Sequence, residues 1–369
     1  MKSFPSKVVR ALRLGLKRGC ARAIRSFGSK SYTLFAVPSG LSESKSITQV
    51  VPEKNVIWDA PKSIESPLLW KGGAAQALAQ GYFHVKGGIA THLGGNLDRS
   101  GKLITTYLVP VDGKTPANHD LFNFSSKRFF PRITHADRVI SLAAGWHDMF
   151  YHWMYEVLPR LFLVKELPGM IYIDQGKAFQ KESLALFGIE KGRLIDASKW
   201  NAVRTKELIV PSIPNFATKW VCDFLRDNIH VRKLDRRRLY ISRSDAQKRR
   251  ILNEEELLPI LEKHGFECRT LSDLPFLEQT ALFKSAEIVV GPHGAGFSHL
   301  AFCEPGTPLL EIFAPSYTHQ CYWQIANAAS LPYHYMLGEG KGGVETDPDI
   351  VVDPKKFEKA LIYALADRQ

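Results

Sequence analysis

The stretch IVVGPHGAGFSH, residues Ile288–His299, has the composition of a turn that holds a phosphate group. An apolar run of strand length leads into a glycine-rich turn, and a helix-like pattern follows. Glycine lets a backbone approach a phosphate closely, and the first turn of a helix offers free N–H groups and the positive end of its dipole. The stretch therefore predicts a phosphate cradle. It has neither a Walker loop nor the GxGxxG pattern, and a tight turn whose glycines serve only packing is the alternative.

Charged residues stand where they could complete such a cradle. Ser242 and Arg243 end an apolar strand pattern that precedes the glycine turn, so Arg243 is expected at the same edge of a sheet. A guanidinium can clamp a diphosphate through two parallel hydrogen bonds. Glu311 follows His293 by eighteen residues, a spacing typical of a carboxylate that contacts ribose hydroxyls. The run Lys248–Arg250 either extends the clamp or is a solvated charge run.

A second stretch carries the residue types of a general base. In FYHWMYEVLPRLFLVK (residues 150–165), His152, Glu156 and Arg160 recur every four residues and share one helical face. Glu156 is the leading candidate to take a proton from an attacking hydroxyl, and His152 is the second. His147 stands nearer the preceding loop and could serve instead. An exposed ion-pair face is the structural alternative, although the surrounding aromatic residues argue against full exposure.

The elements that position these residues alternate between strand and helix, with short connections. This alternation predicts an α/β fold with parallel strands and helices on both faces. Residues 31–65 are expected to be loop-like, and a boundary between two halves is expected near 200–235. Predicted strands are 81–85, 102–110, 138–142, 170–174, 207–211, 237–243, 267–271, 287–291 and 308–313. Predicted helices are 150–165, 179–188, 219–230, 253–265, 275–286 and 294–302.

Three segments together resemble one family, glycosyltransferase family 61. They are YHWMYEVLPRL (Tyr151–Leu161), YISR (Tyr240–Arg243) with Arg250 downstream, and the long segment Phe276–Phe313. The resemblance spans roughly residues 135–340. It implies two Rossmann-like domains facing a central cleft, the GT-B architecture. It also implies a nucleotide-sugar donor in the C-terminal domain, an acceptor in the N-terminal domain, and inversion at the anomeric carbon without an essential metal.

By position, the resemblance places Arg243, His293, Gly294, Ala295 and Gly296 at the donor diphosphate and matches Glu278 and Gln279 to an EQ pair; residue types and spacing supply the other candidates. Glu156 and His152 are the catalytic candidates, and Arg160, Trp153 and His147 lie on the acceptor side. Donor-side residues are Ser242, Arg243, Arg250, Glu278, Gln279, His293, Gly294, Ala295, Gly296 and Glu311. The expected organisation is a basic segment 1–30, an acceptor-side domain 31–205, a donor-binding domain 206–345 and a C-terminal helix 346–369 that packs back on the N-terminal domain.

The composition excludes several other classes of protein. The 369 residues include 45% hydrophobic and 23% charged residues, which is typical of a globular chain. The five cysteines show no CxxC spacing, so neither a zinc site nor a disulfide framework is indicated. No metal and no cofactor are expected besides the co-substrate, most plausibly a UDP-sugar. The one Asp-x-Asp match, Asp347-Pro348-Asp349, is interpreted as a turn.

The net charge of +12 is concentrated at the N-terminus. Residues 1–30 carry nine lysines and arginines, and the first acidic residue is Glu43. Apolar residues recur there at helical spacing, which favours a helix lying on an anionic membrane surface. A disordered basic tail or a nucleic-acid contact is the alternative. We expect a cytoplasmic protein held at the inner face of the membrane, with no nucleic-acid partner.

These features predict an inverting glycosyltransferase that builds bacterial surface polysaccharide on a glycan or lipid-linked acceptor. Two other functions remain open at this point. A polysaccharide pyruvyl-type transferase on a similar fold would also use a glycine turn and basic residues. A non-enzymatic basic protein that binds membranes or nucleic acid would use the charge alone.

Overall fold

A computed structural model describes residues 41–42, 47–101, 103–104, 132–344 and 347–367. The predicted basic helix within residues 1–30 lies outside this range. The described chain is a mixed α/β fold built on two large sheets. Within the described residues no helix is both long and apolar enough to cross a bilayer.

The strands are numbered in chain order. They are β1 (Leu41–Ser42), β2 (Thr48–Val51), β3 (Lys54–Trp58), β4 (Lys62–Ser63), β5 (Gly73–Ala77), β6 (Gln80–Thr91), β7 (Leu97–Asp98), β8 (Leu103–Ile104), β9 (Ile133–Ser141), β10 (Met170–Ile173), β11 (Leu194–Asp196), β12 (Ala202–Pro211), β13 (Arg237–Ile241), β14 (Phe266–Arg269), β15 (Ala286–Pro292), β16 (Leu309–Phe313), β17 (Tyr333–Leu337), β18 (Glu339–Val344) and β19 (Asp347–Val351).

Among the described residues, each segment predicted to be helical contains helical structure. The helices are α1 (Phe150–His152), a π-helical turn (Trp153–Val157), α2 (Arg160–Val164), α3 (Ala178–Leu186), a short 3₁₀ turn (Lys191–Arg193), α4 (Lys219–Asn228), α5 (Glu254–Lys263), α6 (Phe276–Lys284), a 3₁₀ helix (Ala295–Phe302), α7 (Cys321–Ala329) and α8 (Pro354–Ala366). The helix after the glycine turn is therefore a 3₁₀ helix.

The first sheet is a nine-stranded mixed sheet in the order β1-β8-β7-β6-β12-β9-β10-β11, with β2 also paired to β6. Strands β12, β9, β10 and β11 run parallel, whereas β6 pairs antiparallel with β12. An entirely parallel N-terminal sheet was the expectation, and the long β6–β12 pairing makes it mixed. Residues 31–65 were expected to be loop-like, but β2, β3 and β4 lie there.

The second sheet is parallel throughout, in the order β14-β13-β15-β16-β17-β4. Its central strands are short apolar runs: all five residues of β16 are buried. Parallel sheets covered on both faces need such runs. The strand order reverses between β13 and β15, and ligands of open α/β sheets bind at the carboxyl ends of the strands at such a point.

Two placements at the ends of the chain differ from expectation. Strand β4 comes from the N-terminal part of the sequence but pairs with β17 of the second sheet. The C-terminal helix α8 was expected to pack on the N-terminal domain. It packs on the second sheet instead, because Phe357 and Leu361, both fully buried, belong to the same core cluster as Leu310 and Met336.

One continuous hydrophobic core joins the two sheets. It contains Ile140 and Ile209 of the first sheet and Leu239 and Val289 of the second. Between the two sheets lies the segment formed by α1, the π turn and α2. It contributes five fully buried residues to the core: Trp153, Met154, Tyr155, Val157 and Leu158. The predicted base-bearing helix is thus packed directly against the half that carries the glycine turn.

Candidate active site

A crevice of about 150 Å³ opens at the carboxyl ends of β13 and β15, where the strand order reverses. The sequence-predicted phosphate cradle forms one wall and the end of β13 forms the other. Its lining includes Ser242, Arg243, Leu271, Pro292, Gly294 and Gly296. The structure therefore brings the glycine turn and Arg243 together, as their positions on neighbouring strands predict.

The glycines of the turn provide space rather than unusual backbone angles. Gly294 is extended, with φ of −175°, so any residue could adopt its backbone. A Cβ at this position would overlap Nη1 of Arg243 and lie 2.9 Å from its Cζ. A Cβ on Gly296 would lie 2.6 Å from Leu271, and one on Gly291 would lie 2.5 Å from the carbonyl oxygen of Ile241. The turn needs glycine because the guanidinium and the neighbouring strand are so close.

Arg243 is held in place by its own loop. Its Nε and Nη2 donate to the carbonyl oxygen of Lys248 at 3.3 and 3.1 Å. Burial, reinforced by the charge of Arg249, lowers the pKa of Arg243. A half-buried cation next to a second cation gains by binding an anion, so the electrostatics around Arg243 favour a phosphate group.

Arg249 is the cation that the sequence interpretation undervalued. Its backbone is left-handed, with φ of 58°, a strained conformation for a non-glycine residue that is often found at functional sites. Its guanidinium lies 4.7 Å from the centre of the Tyr317 ring, and its Nε lies 3.0 Å from Asp347. Its charge also acts on Arg243 and His293.

Arg250, which was assigned to the donor, is engaged elsewhere. Its Nη2 donates to Asp349 at 2.7 Å, and its backbone N–H donates to the same carboxylate at 2.9 Å. The stretch around Asp347 and Asp349 is strand β19 and not the expected turn. It supplies the carboxylates that neutralise the basic run, including Lys248. The sequence could show the basic run but not these partners, which lie about a hundred positions away.

His293 and Glu311 form a buried pair inside the turn. Nδ1 of His293 lies 2.5 Å from Oε1 of Glu311, and Tyr333 donates to Oε2 at 2.6 Å. Burial raises the pKa of Glu311 to about 8 and lowers the pKa of His293 to about 3, the latter with help from Arg249 and Arg243. Glu311 has no exposed surface and both its oxygens are occupied, so the expected ribose contact does not fit this geometry.

Three other donor-side candidates have structural partners. Gln279 donates to the carbonyl oxygens of Leu271 and Leu274 at 2.9 and 2.8 Å, which fixes a loop that borders the crevice. Glu278 is exposed and lines a separate cavity with Arg232, away from the glycine turn. Ser242 donates to Glu254 at 2.7 Å. Ser242 lines the crevice with its hydroxyl bound to Glu254, and Gln279 supports the crevice indirectly through its loop.

A second cavity of about 310 Å³ is lined by both halves of the molecule. Phe150, Phe179 and Glu182 contribute from the N-terminal half, and Leu271, Ala295 and Gly296 from the C-terminal half. It shares Leu271 and Gly296 with the smaller crevice, so the two adjoin. Sequence analysis did not identify Glu182, which accepts a hydrogen bond from the backbone of Phe276 at 2.9 Å and so joins α3 to the start of α6.

The candidate base lies on the π-helical turn. Nδ1 of His152 is 2.8 Å from Oε1 of Glu156, and the two side chains are 29% and 20% exposed, so a substrate can reach both. The same turn is anchored to the opposite half, because the hydroxyl of Tyr155 donates to the carbonyl oxygen of Ser298 at 2.9 Å. Single π turns inside helices are common at functional sites.

Two acceptor-side candidates belong to the core instead. Arg160 is 2% exposed and donates to the carbonyl oxygens of Ser141, Leu142 and Pro211 at 2.9 to 3.2 Å. Burial lowers its pKa to about 10, so it stays charged at neutral pH. Trp153 is fully buried and donates to Ser183 at 2.9 Å. Neither side chain is available to an acceptor.

His147, the third acceptor-side candidate, pairs with Asp174. Its Nε2 lies 3.0 Å from Asp174, and its Nδ1 contacts the carbonyl oxygen of Ala144. Burial opposes the charge on His147, but Asp174 outweighs it, so the pKa of His147 is raised. With both ring nitrogens next to acceptors, His147 favours the doubly protonated state and is a poor base. Asp174 ends the predicted strand 170–174, and that position was the signal in the sequence that could have indicated it.

Among the residues that the structure describes, no group of three or more His, Cys, Asp and Glu side chains is arranged to hold a metal ion. The crevice offers an anion the guanidinium of Arg243 and the backbone of the glycine turn; Asp245 also lines it, and the charge of Arg249 acts on Arg243 from nearby.

Comparisons with known proteins show what part of the chain is similar to. Residues 150–310 match the family model described as Glycosyltransferase 61, which confirms the resemblance predicted from the sequence. The matched range includes Glu156, Arg243 and the glycine turn.

Two relatives match parts of the chain. The EGF domain-specific O-linked N-acetylglucosamine transferase of Drosophila melanogaster is 33% identical over 97 residues, 26% of this chain and 18% of that protein. The beta-1,2-xylosyltransferase RCN11 of Oryza sativa subsp. japonica is 30% identical over 144 residues, 34% of this chain and 27% of that protein. The matched regions span less than a third of either relative.

Among solved structures, the dodecameric iron-containing heptosyltransferase TibC in complex with ADP-D-beta-D-heptose covers 89% of this chain at 12% identity and a TM-score of 0.37. A TM-score at this level is too low to identify a fold.

Proposed function

We propose that this protein is an inverting glycosyltransferase of GT-B architecture that transfers a sugar from a nucleotide-sugar donor to a glycan or lipid-linked acceptor. The observation that carries the proposal is the crevice at the β13–β15 reversal, where Arg243 is fitted against Gly294 and lies next to a second cation, Arg249. The match of residues 150–310 to a glycosyltransferase family supports it.

The proposed chemistry is a single displacement. The acceptor hydroxyl attacks the anomeric carbon, the bond from that carbon to the phosphate oxygen breaks, and the electron pair leaves with the nucleoside diphosphate. Fixed positive charge close to the departing oxygen stabilises such a leaving group. Arg243, Arg249 and the backbone N–H groups of Gly294–Gly296 supply it in our proposal, without a metal.

The proton of the acceptor hydroxyl goes to Glu156 in this mechanism. His152 lies 2.8 Å from the carboxylate and orients it. The 310 Å³ cavity between the two halves, which adjoins the crevice, is the proposed place for the transferred sugar and the acceptor hydroxyl. A carboxylate that acts as a general base contributes typically about 10² to 10⁴ in rate. Replacing Glu156 by Gln is thus expected to lower kcat within that range and to leave donor binding intact.

Nucleotide binding tests the site directly. Purified protein is titrated with UDP and with UDP-, GDP- and CMP-sugars, and the shift in Tm, the Kd and the release of sugar by hydrolysis are measured. Arg243→Ala is the test variant and Arg236→Ala is its matched control. Arg236 is exposed and precedes β13, so it lies at the amino end of the strand whose carboxyl end borders the crevice.

The expected result is nucleotide binding by the wild type and by Arg236→Ala, with a loss of roughly 10- to 100-fold in Arg243→Ala, the worth of a charge-assisted hydrogen-bond pair. The proposal fails if no nucleotide binds or is turned over and Arg243→Ala behaves as the wild type does. Stabilisation by phosphoenolpyruvate alone would instead favour the pyruvyl-type reaction.

We further propose that the enzyme acts in bacterial surface polysaccharide synthesis at the inner face of the membrane, with a UDP-sugar as the donor. The basic, amphipathic composition of residues 1–30 supports the membrane contact in this proposal. Sedimentation with anionic and with neutral vesicles, for the full chain and for a chain lacking residues 1–30, tests the membrane contact. Equal sedimentation of the two chains with anionic vesicles would contradict it.

A further inference from the structure

Glu311 is a buried carboxyl group that the proposed mechanism does not use. Its side chain has no exposed surface, and both oxygens have partners: Nδ1 of His293 at 2.5 Å from Oε1, and the hydroxyl of Tyr333 at 2.6 Å from Oε2. A carboxylate sealed from water is costly unless it is fully paired. The cost of burial falls if the carboxyl group carries its proton. A protonated Oε1 would donate to Nδ1 of His293 and would not accept from it.

The surroundings of His293 also disfavour a charged imidazolium. Charged, titratable and aromatic groups face it from every element packed against it: Arg243 and Arg249 after β13, Glu311 and Phe313 on β16, Tyr317 and His319 in the following loop, Tyr322 on α7 and Asp347 on β19. Two arginines and burial oppose a positive ring, and Asp347, already paired with Arg249, compensates only in part.

A neutral His293 next to a neutral Glu311 has one self-consistent arrangement of protons. Tyr333 donates to Oε2, and the protonated Oε1 donates to Nδ1 of His293. The imidazole then carries its own hydrogen on Nε2, because a neutral ring holds one N–H. Nε2 of His293, a residue of the glycine turn, becomes a hydrogen-bond donor, and the charges of Arg243 and Arg249 act on the same ring.

We infer that Glu311 is a positioning residue that holds His293 in the Nε2–H form, so that the histidine donates a hydrogen bond to the leaving phosphate. The ring is also clamped from its faces: its centroid lies 5.3 Å from that of Phe313 and 4.9 Å from that of Tyr322. A donor fixed in this way needs no reorganisation when negative charge develops on the phosphate. This inference rests on the proposed donor site.

The tautomer can be measured without any enzyme activity. Protein labelled with ¹⁵N-histidine is studied by NMR, and the His293 signals are assigned by their loss in His293→Gln. The expected spectrum shows a protonated Nε2 and an unprotonated Nδ1. A protonated Nδ1 would overturn the inference, since Glu311 would then be an acceptor. Addition of UDP is expected to shift the Nε2 signal.

Substitutions of Glu311 separate donation from charge. Gln has nearly the same shape as protonated Glu and can donate to Nδ1 while it accepts from Tyr333, so Glu311→Gln should keep the tautomer and the UDP affinity near pH 7. Glu311→Met removes the donor, and we expect roughly tenfold weaker UDP binding and a mixture of tautomers. Loss of the tautomer in the Gln variant equal to that in the Met variant would contradict the inference.

Two further variants distinguish a general folding defect from a change in the His293 tautomer. Tyr335→Phe removes a buried hydroxyl on the same strand that accepts from the backbone of Leu69, so it should leave the His293 spectrum unchanged. Tyr333→Phe should perturb it. If His293 has the expected tautomer but UDP fails to bind, the proposed donor site is wrong, and the role of Glu311 in setting the tautomer still holds. If UDP binds and His293 carries its hydrogen on Nδ1, the donor site holds and only the role proposed for Glu311 is wrong.

Discussion

The guanidinium of Arg243 occupies the space into which a side chain at position 294 would extend. Nη1 lies where a Cβ on Gly294 would stand, and two other nitrogens of the same group are bound to the carbonyl oxygen of Lys248. The glycine turn and the arginine are therefore one fitted unit, formed from two parallel strands. Glycine at position 294 leaves room for the guanidinium, and the guanidinium fills that room.

Replacing Gly294 by Ala should impair the site through Arg243. The extended backbone tolerates alanine, so the cost arises from displacing the guanidinium. We expect nucleotide affinity to fall about as far as in Arg243→Ala, and the two substitutions together to cost little more than either alone. Gly192→Ala is the control, because a Cβ there meets nothing within 4 Å. Additive losses, measured by titration calorimetry, would contradict the fitted unit.

Replacing Asp347 by Asn should strengthen nucleotide binding. Asp347 pairs with Lys248 at 2.9 Å and with Arg249 at 3.0 Å, so it competes with an incoming diphosphate for the same cations. We expect a gain of about fivefold in UDP affinity, on the order of 1 kcal/mol, which shrinks at high salt. Asp137→Asn, which breaks an exposed pair with Lys206 on the first sheet, should change nothing. Weaker binding in Asp347→Asn would show that the carboxylate helps the site.

Replacing Arg160 by Met should destabilise the whole protein. The guanidinium satisfies three buried carbonyl oxygens, at the ends of β9 and β12 and between β9 and α1, and methionine would leave them without donors. We expect a loss of about 3 to 5 kcal/mol in the free energy of unfolding by urea. Lys165→Met, at a side chain that is 61% exposed, should cost less than about 0.5 kcal/mol. Intact stability with reduced acceptor affinity would restore the acceptor role.

The pair of His147 and Asp174 should make stability depend on pH. The raised pKa of His147 stabilises the fold fully below its unfolded value of 6.5, and this contribution is lost as pH rises through the folded pKa. Burial raises the pKa of Asp174, but hydrogen bonds from His147 and the backbone of Gly176 outweigh it, so the pKa is lowered. The stabilisation by Asp174 is therefore present above its unfolded pKa of 3.8 and is lost on acidification.

Both contributions are complete only between pH 3.8 and 6.5. The difference in unfolding free energy between wild type and Asp174→Asn should therefore be largest near pH 5 to 6 and should decrease towards pH 9. Urea unfolding over this range measures it, with Asp137→Asn, at an exposed carboxylate paired with Lys206, as the control. A difference that does not change with pH would show that the pair is a neutral hydrogen bond.

The local patterns predicted what lies close in sequence. The apolar runs and the glycine turn predicted β13, β15 and the helix after each, and the position of Arg243 at a strand end predicted its place in the crevice. The helical spacing of His152 and Glu156 predicted their contact. These relationships depend on backbone periodicity, which the sequence displays directly.

The partners of buried charges could not be predicted in this way. Arg160 shares the helical spacing of Glu156, but it is turned into the core by carbonyl oxygens that belong to two distant strands. Arg249 was passed over for Arg250 because the choice between them depends on Asp347 and Asp349, about a hundred positions later. Glu311 has the spacing of a ribose-binding residue, yet its surroundings, which include Tyr333, exclude water.

Strand β4 has a consequence for how the chain can be divided. Lys62–Ser63 pairs with the edge of β17, opposite His334 and Tyr335, and both of those residues are buried. An open strand edge invites pairing with another chain. A fragment that begins between residues 212 and 236 would keep the whole crevice but lose its edge strand, because β4 belongs to the other half of the chain. An excised donor half needs residues 59–70 grafted on, or it will associate through β17.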